Sequence, residues 1–456
     1  MNIRYLLLIS IALLPCICIG CEPVISEEEN GDDIEHIYLD GYETATLSSE
    51  ITSVQPMTGI VFWPAQAKSK HASLGHAISL EFSYCLPSDV VIGKKNGQIQ
   101  YDWSSFETLL DDIASRGHQA IIRFRYEYPS QKTNGVKGGT AVPQYIKELS
   151  DYNETYNANP GGDGPTYYAD WSNSELQWFT KQFYTDFTAK YDNDVRIAFV
   201  QVGFGHWSEY HIYGHGLRLG VNFPSHEYQA EFLTHVHTLF NNTPWSISVD
   251  AADKAYAPIV KADSLMALNF GLFDDSFMHK NHEISQGGGY NEKCWRALDT
   301  LRWQKSPAGG EISYYTRDDQ RNFLNPDGMY GYTWEQAAAK YHITYIIGND
   351  APSGQFATPE RMKEATLATG YRFCIDDFKI SSDSAAIKIS NKGIAPIYRD
   401  AYVAMDDVRI DYSLKQLLPE NSVWLKAPIR RSDPEISIQC DHLLEGKKIE
   451  FEADVQ

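Results

Sequence analysis

The chain has 456 residues, with 60 acidic against 39 basic side chains, a formal net charge of −21, and 43% hydrophobic and 13% aromatic content. That charge excludes a backbone-reading nucleic-acid partner, which needs a basic stripe, and the 29 Tyr, 20 Phe and 10 Trp exclude a disordered chain. Seven cysteines, three of them within the first 21 residues, form neither a disulfide framework nor the two spaced cysteine pairs of a structural metal site.

The amino terminus reads as an address. Arg4 precedes the apolar run Tyr5–Ile19, which is shorter than the about 20 residues a membrane span needs. Residues 1–20 are therefore expected to be a signal peptide. The run ends in Cys18-Ile19-Gly20-Cys21, which resembles the lipobox of bacterial lipoproteins and implies lipidation of Cys21. From Glu22 to Glu43 there are nine acids and no Lys or Arg, so residues 21–54 are expected to be a solvated acidic tether. That tract resembles the one following the lipidated cysteine in surface-exported lipoproteins. The expected location is the bacterial outer membrane, reached through a lipid anchor alone and exposed at the cell surface.

From about Thr58, β-rich runs alternate with helical periodicity. The predicted strands are Gly59–Trp63, Ile78–Cys85, Gln119–Arg125, Ile197–Gly203, Trp245–Asp250, Met266–Gly271, Ala308–Ser313 and Ile343–Gly348. Between and after them fall predicted helices Trp103–Arg116, Ser174–Tyr191, Glu227–Phe240, Asn291–Trp303, Trp334–Tyr341 and Pro359–Thr369, the last with Thr358 as N-cap. Eight alternations imply an α/β fold, a closed (β/α)8 barrel of the TIM type over residues 55–370. Past Gly370 the helical pattern stops and strand-like runs recur about every ten residues, which predicts a small all-β sandwich over 371–456.

Strand parity predicts the interior. On the second strand Ile78, Leu80, Phe82 and Tyr84 are expected outward and Glu81 inward. On the third, Arg123 and Arg125 are expected inward, as are Gln201, Ser246, Ser248 and Asn269 on the fourth, fifth and sixth. Glu81 paired with Arg123 is the structural alternative to a functional site. Polar groups at the carboxyl ends of barrel strands mark an active site.

Two carboxylates stand out. Strand four runs out into Gln201-Val202-Gly203-Phe204-Gly205-His206-Trp207-Ser208-Glu209-Tyr210-His211, and strand seven carries Gly309-Gly310-Glu311. Cleaving a glycosidic bond needs one protonated carboxyl and one ionised one. Strands four and seven face each other across a barrel mouth, so Glu209 and Glu311 are the candidate catalytic pair, at an expected separation of about 5–6 Å on the retaining scale. Arg123, Arg125, Gln201, His206, Trp207, His211, Asn269 and Asp275 are the candidate substrate-binding residues. His206, Glu209 and His211 lack the helical HExxH arrangement, so no metal and no cofactor is expected. No phosphate loop and no GxSxG elbow occurs.

The tract Ala198–His211, the Gly309-Gly310-Glu311 element, Ile121–Tyr126, Gly370-Tyr371-Arg372-Phe373 and Lys392–Tyr398 together resemble, in order, a bacterial family of glycosidase-like barrels of unassigned activity, domain of unknown function 4832. More widely they resemble retaining glycosidases, with an acid/base Glu after strand four and a nucleophile Glu after strand seven. The resemblance implies a carbohydrate substrate, Glu209 as acid/base and Glu311 as nucleophile. The retaining enzymes commonly place Asn directly before the first Glu, where this chain has Ser208. That departure motivates a rival expectation, a glycan-binding lipoprotein on a catalytically idle barrel.

Overall fold

Leu80, Phe82 and their neighbours decide how the interior is filled, and they do so in a closed ring of eight parallel strands. In the computed structural model, which describes residues 39–213, 216–348 and 356–456, the strands are Gly59–Phe62, Leu80–Cys85, Gln119–Phe124, Ile197–Gln201, Trp245–Ser248, Gly271–Phe277, Ala308–Ile312 and Tyr345–Ile347. Each pairs with the next, and the eighth pairs with the first. The signal peptide, Cys21 and most of the acidic tract lie outside the described residues. No helix among the described residues is long and apolar enough to cross a membrane.

The helices form where periodicity and caps agree. Ser174–Tyr191 begins at Asn173, whose side chain accepts from the backbone N–H groups of Glu175 and Leu176. Pro359–Leu367 begins at Thr358, with its cap bond from Arg361 and Pro359 in the first turn. Pro64–Leu74 is a further helix that the sequence pattern did not predict. It buries only Ala67 and Leu74, so it carries almost no apolar stripe.

Two expectations are corrected. The second strand has the opposite parity: Leu80 and Phe82 join the apolar cluster that fills the barrel interior, and Tyr84 lies beside Arg123. Glu81 faces outward instead, bound by Arg116 at 2.7 Å and His118 at 2.7 Å, so the Glu81–Arg123 pair does not form. A floor made of Val61, Leu80, Phe82, Ile121, Phe199, Tyr345 and Ile347 is apolar, because charges at that depth would lack partners. The sixth strand lies later than predicted, at Gly271–Phe277, because Asp263–Met266 is a short helical turn. Asn269 is consequently exposed below the barrel, where its Oδ1 accepts from Ser306.

The carboxyl-terminal segment is all β apart from one short 3-10 turn. Phe373–Ile380, Ser384–Asn391, Ser422–Pro428 and Glu452–Val455 form one sheet, and Ala401–Met405, Val408–Ser413 and Ile436–Cys440 a second. Their inner faces share one apolar cluster with the barrel floor. The end of the expected tether also joins this unit: Glu43–Thr44 pairs with Phe373–Ile380, and Leu47–Ser49 pairs with Glu452–Val455. The alternation of Ala45 and Leu47 onto the cluster supplies the apolar surface that the acidic tract before it lacks.

Candidate active site

Gly203 opens a tight turn after the fourth strand. A Cβ on it would sit 1.9 Å from the Ser208 carbonyl oxygen, so only glycine permits the approach. Trp207, Ser208 and Tyr210 all hold left-handed backbone, at φ of 53°, 63° and 61°, a concentration of strain that surrounding bonds must hold in place. Those bonds are His206 N–H to the His211 carbonyl at 2.9 Å, Tyr210 N–H to the Phe204 carbonyl at 2.8 Å, and Trp207 N–H to the Glu127 carbonyl at 3.1 Å. The Ser208 hydroxyl donates to the Phe124 carbonyl at 2.9 Å. The turn thereby aims Glu209 into the barrel, 4% exposed. Across the mouth, Gly310 lies against the Asp274 backbone, where a Cβ would come within 2.2 Å of the carbonyl oxygen, and Glu311 follows it, 3% exposed.

One buried guanidinium joins the two acids. Arg123 Nη1 donates to Glu209 Oε1 at 2.5 Å and Nη2 donates to Glu311 Oε1 at 3.1 Å. Its Nε donates to Gln201 Oε1 at 2.6 Å, and Gln201 Nε2 in turn donates to the Tyr345 hydroxyl at 2.7 Å. The Phe273 ring lies 4.2 Å from the guanidinium carbon. Two carboxyls share a single cation in a dry setting, so ionising both leaves one buried negative charge uncompensated. Burial pushes Glu209 well above the ordinary carboxylate range, with Asp275 and Glu311 adding to the effect and Arg123 opposing it. Burial raises Glu311 too, with Arg123 opposing. Burial with a single shared cation therefore favours one proton held between the two carboxyls.

Above the pair opens a cavity of about 560 Å³. Trp63, Tyr84, Tyr128, Trp207, Tyr213, Tyr314 and Tyr315 wall it, and Glu209, Glu311, Asp275 and Asp163 are its acids. Flat rings beside carboxyls suit a ligand with apolar faces and hydroxyl edges.

His211 and Asp275 form the flank. His211 Nδ1 lies 2.8 Å from Asp250 Oδ2, and its Nε2 is buried without a hydrogen-bond partner. One ligand atom each from Glu209, His211 and Asp275 lies within 4.8 Å of the other two. Burial, with Asp250 adding and His211 opposing, pushes Asp275 up to about 7.

The sequence-predicted residues divide. Arg123, Gln201, Trp207, Glu209, His211, Asp275 and Glu311 come together. His206 sits behind the turn, stacked on Tyr168 with ring centroids 5.6 Å apart; burial lowers it to about 3, so it is a neutral packing group. Arg125 lies 4.7 Å from the Tyr128 ring and outside the cavity wall. Asn269 is at the opposite end of the barrel. Sequence reasoning missed Trp63, Tyr84 and Tyr128, which lie near the carboxyl ends of the first three strands. It also missed the role of Asp250 as the partner of His211.

No family model matches the chain, and no curated protein matches it. Solved structures align with the chain at low identity. The catalytic domain of a β-amylase from Paenibacillus polymyxa aligns at TM-score 0.44 and 9% identity, over 68% of this chain and 98% of that one. Endo-glycoceramidase II from a Rhodococcus species, in complex with ganglioside GM3, aligns at 0.44 and 10%, over 85% and 100%. A GH39 β-xylosidase from Caulobacter crescentus aligns at 0.34 and 11%, over 79% and 84%. All three TM-scores fall below 0.5, so the functional argument stands on the site itself.

Proposed function

We propose that this protein is a retaining glycoside hydrolase held at the cell envelope by lipid on Cys21. The carrying observation is that Glu209 and Glu311, from opposed strands, bind one buried guanidinium beneath the same aromatic cavity. Protonated Glu209 donates to the departing glycosidic oxygen while the ionised Glu311 carboxylate attacks the anomeric carbon. The resulting glycosyl ester is then cleaved by water that Glu209, now a base, deprotonates. Arg123 holds both carboxyls and shifts its support from one to the other as charge moves. The retaining assignment is the finer part of the proposal. A single planar guanidinium reaching both acids favours the close spacing of about 5–5.5 Å over the about 6.5–9.5 Å that an inverting enzyme needs for water.

A second reading has its own observation. The Ser208 hydroxyl is spent on the Phe124 carbonyl, so the position before Glu209 offers nothing to a sugar hydroxyl. On that reading the cavity binds glycan without cleaving it. A panel of aryl glycosides and oligosaccharides separates the two. The hydrolase reading expects turnover by the wild-type chain, a loss of about 10²–10⁴-fold in Glu209→Gln on the general-acid scale, at least as large a loss in Glu311→Gln, and a first product of unchanged anomeric configuration. Saturable binding of a glycan with no turnover in the wild-type chain would favour the binding protein.

A further inference from the structure

We propose that the flank of the cavity is a divalent-cation site of the zinc type, built from Glu209, His211 and Asp275. The three ligand atoms lie within 4.8 Å of one another. A metal holding N and O ligands at about 2.0–2.2 Å would need them only modestly closer, a change within reach of side-chain rotation. One imidazole with two carboxylates is a donor set for zinc, cobalt or manganese rather than for calcium.

The histidine is what separates this group from a mere cluster of acids. His211 Nδ1 lies 2.8 Å from Asp250 Oδ2, and in the tautomer that carries its hydrogen on that nitrogen the Nε2 lone pair is open to a metal. Carboxylate-oriented imidazoles of this kind are the usual supporting arrangement of histidine ligands. His211 is 5% exposed, and its Nε2 has no partner, an omission that costs free energy unless something supplies a positive or donating centre. Charge points the same way. Glu209, Asp275, Asp250 and Glu311 gather at the position, with Arg123 paired to Glu209 and Glu311 and His211 to Asp250. Two further positive charges relieve that excess. Glu209 spends Oε1 on Arg123, and the remaining coordination positions face the cavity, where water or a sugar hydroxyl can complete them.

The consequence reaches beyond hydrolysis. A cation resting on Glu209 displaces the proton that the acid must donate, so metal and the first catalytic step exclude one another, and zinc acts as a reversible inhibitor. The binding claim itself needs no activity and stands or falls independently of the hydrolase reading.

Calorimetric titration of the chelator-treated full chain with Zn²⁺, paralleled by the visible spectrum on titration with Co²⁺, tests it. The expected result is one ion per chain with an affinity in the micromolar range or tighter. His211→Gln and Asp275→Asn should each weaken binding at least tenfold, and Asp250→Asn about 10–100-fold through loss of the orienting bond. Asp163→Asn, another acid of the same cavity, should leave binding within about twofold. Thermal melting of each variant shows that it is folded. If His211→Gln does not fold, Asp275→Asn and the Co²⁺ spectrum of the wild-type chain decide. Absence of stoichiometric binding at millimolar Zn²⁺, or binding that survives Asp275→Asn unchanged, overturns the proposal. A chain that binds zinc and cleaves no glycan sinks only the hydrolase reading, and the reverse result sinks only this one.

Discussion

Glu127 is 1% exposed, with Oε1 accepting from the Ala169 N–H at 3.1 Å and Oε2 without a partner. Burial pushes its carboxyl up to about 8. The folded state therefore holds a proton that the unfolded state has released between about pH 4.5 and 8, so folding binds protons across that window. Its contribution is fully present below about pH 4.5 and is lost as pH rises through 8, at up to about 1.4 kcal/mol per pH unit. Glu127→Gln keeps the acceptor and removes the titration. Its melting temperature should gain on the wild-type value as pH goes from 5 to 8, and a difference that stays flat would refute the assignment. The parity that placed Arg123 and Arg125 inward was legible in the third strand. Which of the two reaches the cavity was not, because that depends on how far along the strand the rings of Tyr84 and Tyr128 close over it.

Among the elements, the turn from Gly203 to Tyr210 is the one whose geometry is most easily broken. Gly203→Ala drives a methyl into the Ser208 carbonyl, and a backbone oxygen cannot swing aside as a side chain can. Three left-handed residues downstream must then shift together. The expected outcome is a loss of about 2 kcal/mol in stability by the usual scale of overpacking, with kcat/KM falling at least tenfold because Glu209 moves off Arg123. Thermal melting and steady-state kinetics on a cleaved glycan read both; wild-type kinetics would show that the turn does not set the acid. Element type was legible wherever period and cap agreed, as at Asn173 and Thr358. It was not at Pro64–Leu74, which buries too little to show a stripe. The second strand was misoriented because Leu80 and Phe82 look like an outer face, while Glu81 finds Arg116 and His118 outside the ring. Glu209 and Glu311 were legible from the glycines beside them. The approach of Asp275 to His211 was not, since it exists only once strands four and six are bent into one barrel.

At the scale of the whole molecule the sandwich closes the amino-terminal end of the barrel. Arg399 donates to the Ile197 carbonyl at 3.2 Å, His442 Nε2 binds the same oxygen at 2.8 Å, and the Tyr371 hydroxyl donates to the Pro56 carbonyl at 3.0 Å. Every one of these contacts meets the start of a barrel strand, while Glu209, Asp275 and Glu311 lie toward the strands' far ends. The proposed lipid anchor on Cys21 is tested at this scale too. Cys21→Ala should shift the protein from the membrane fraction to the soluble one on cell fractionation, and a variant still extracted only by detergent would rule the anchor out. The short strand Leu47–Ser49 is stitched to Glu452–Val455. The polypeptide enters the fold through the sandwich, at the pole opposite the cavity. The aromatic opening and the point where the described chain enters the fold therefore lie at opposite poles, so whatever is attached ahead of Leu47 leaves the cavity mouth unobstructed.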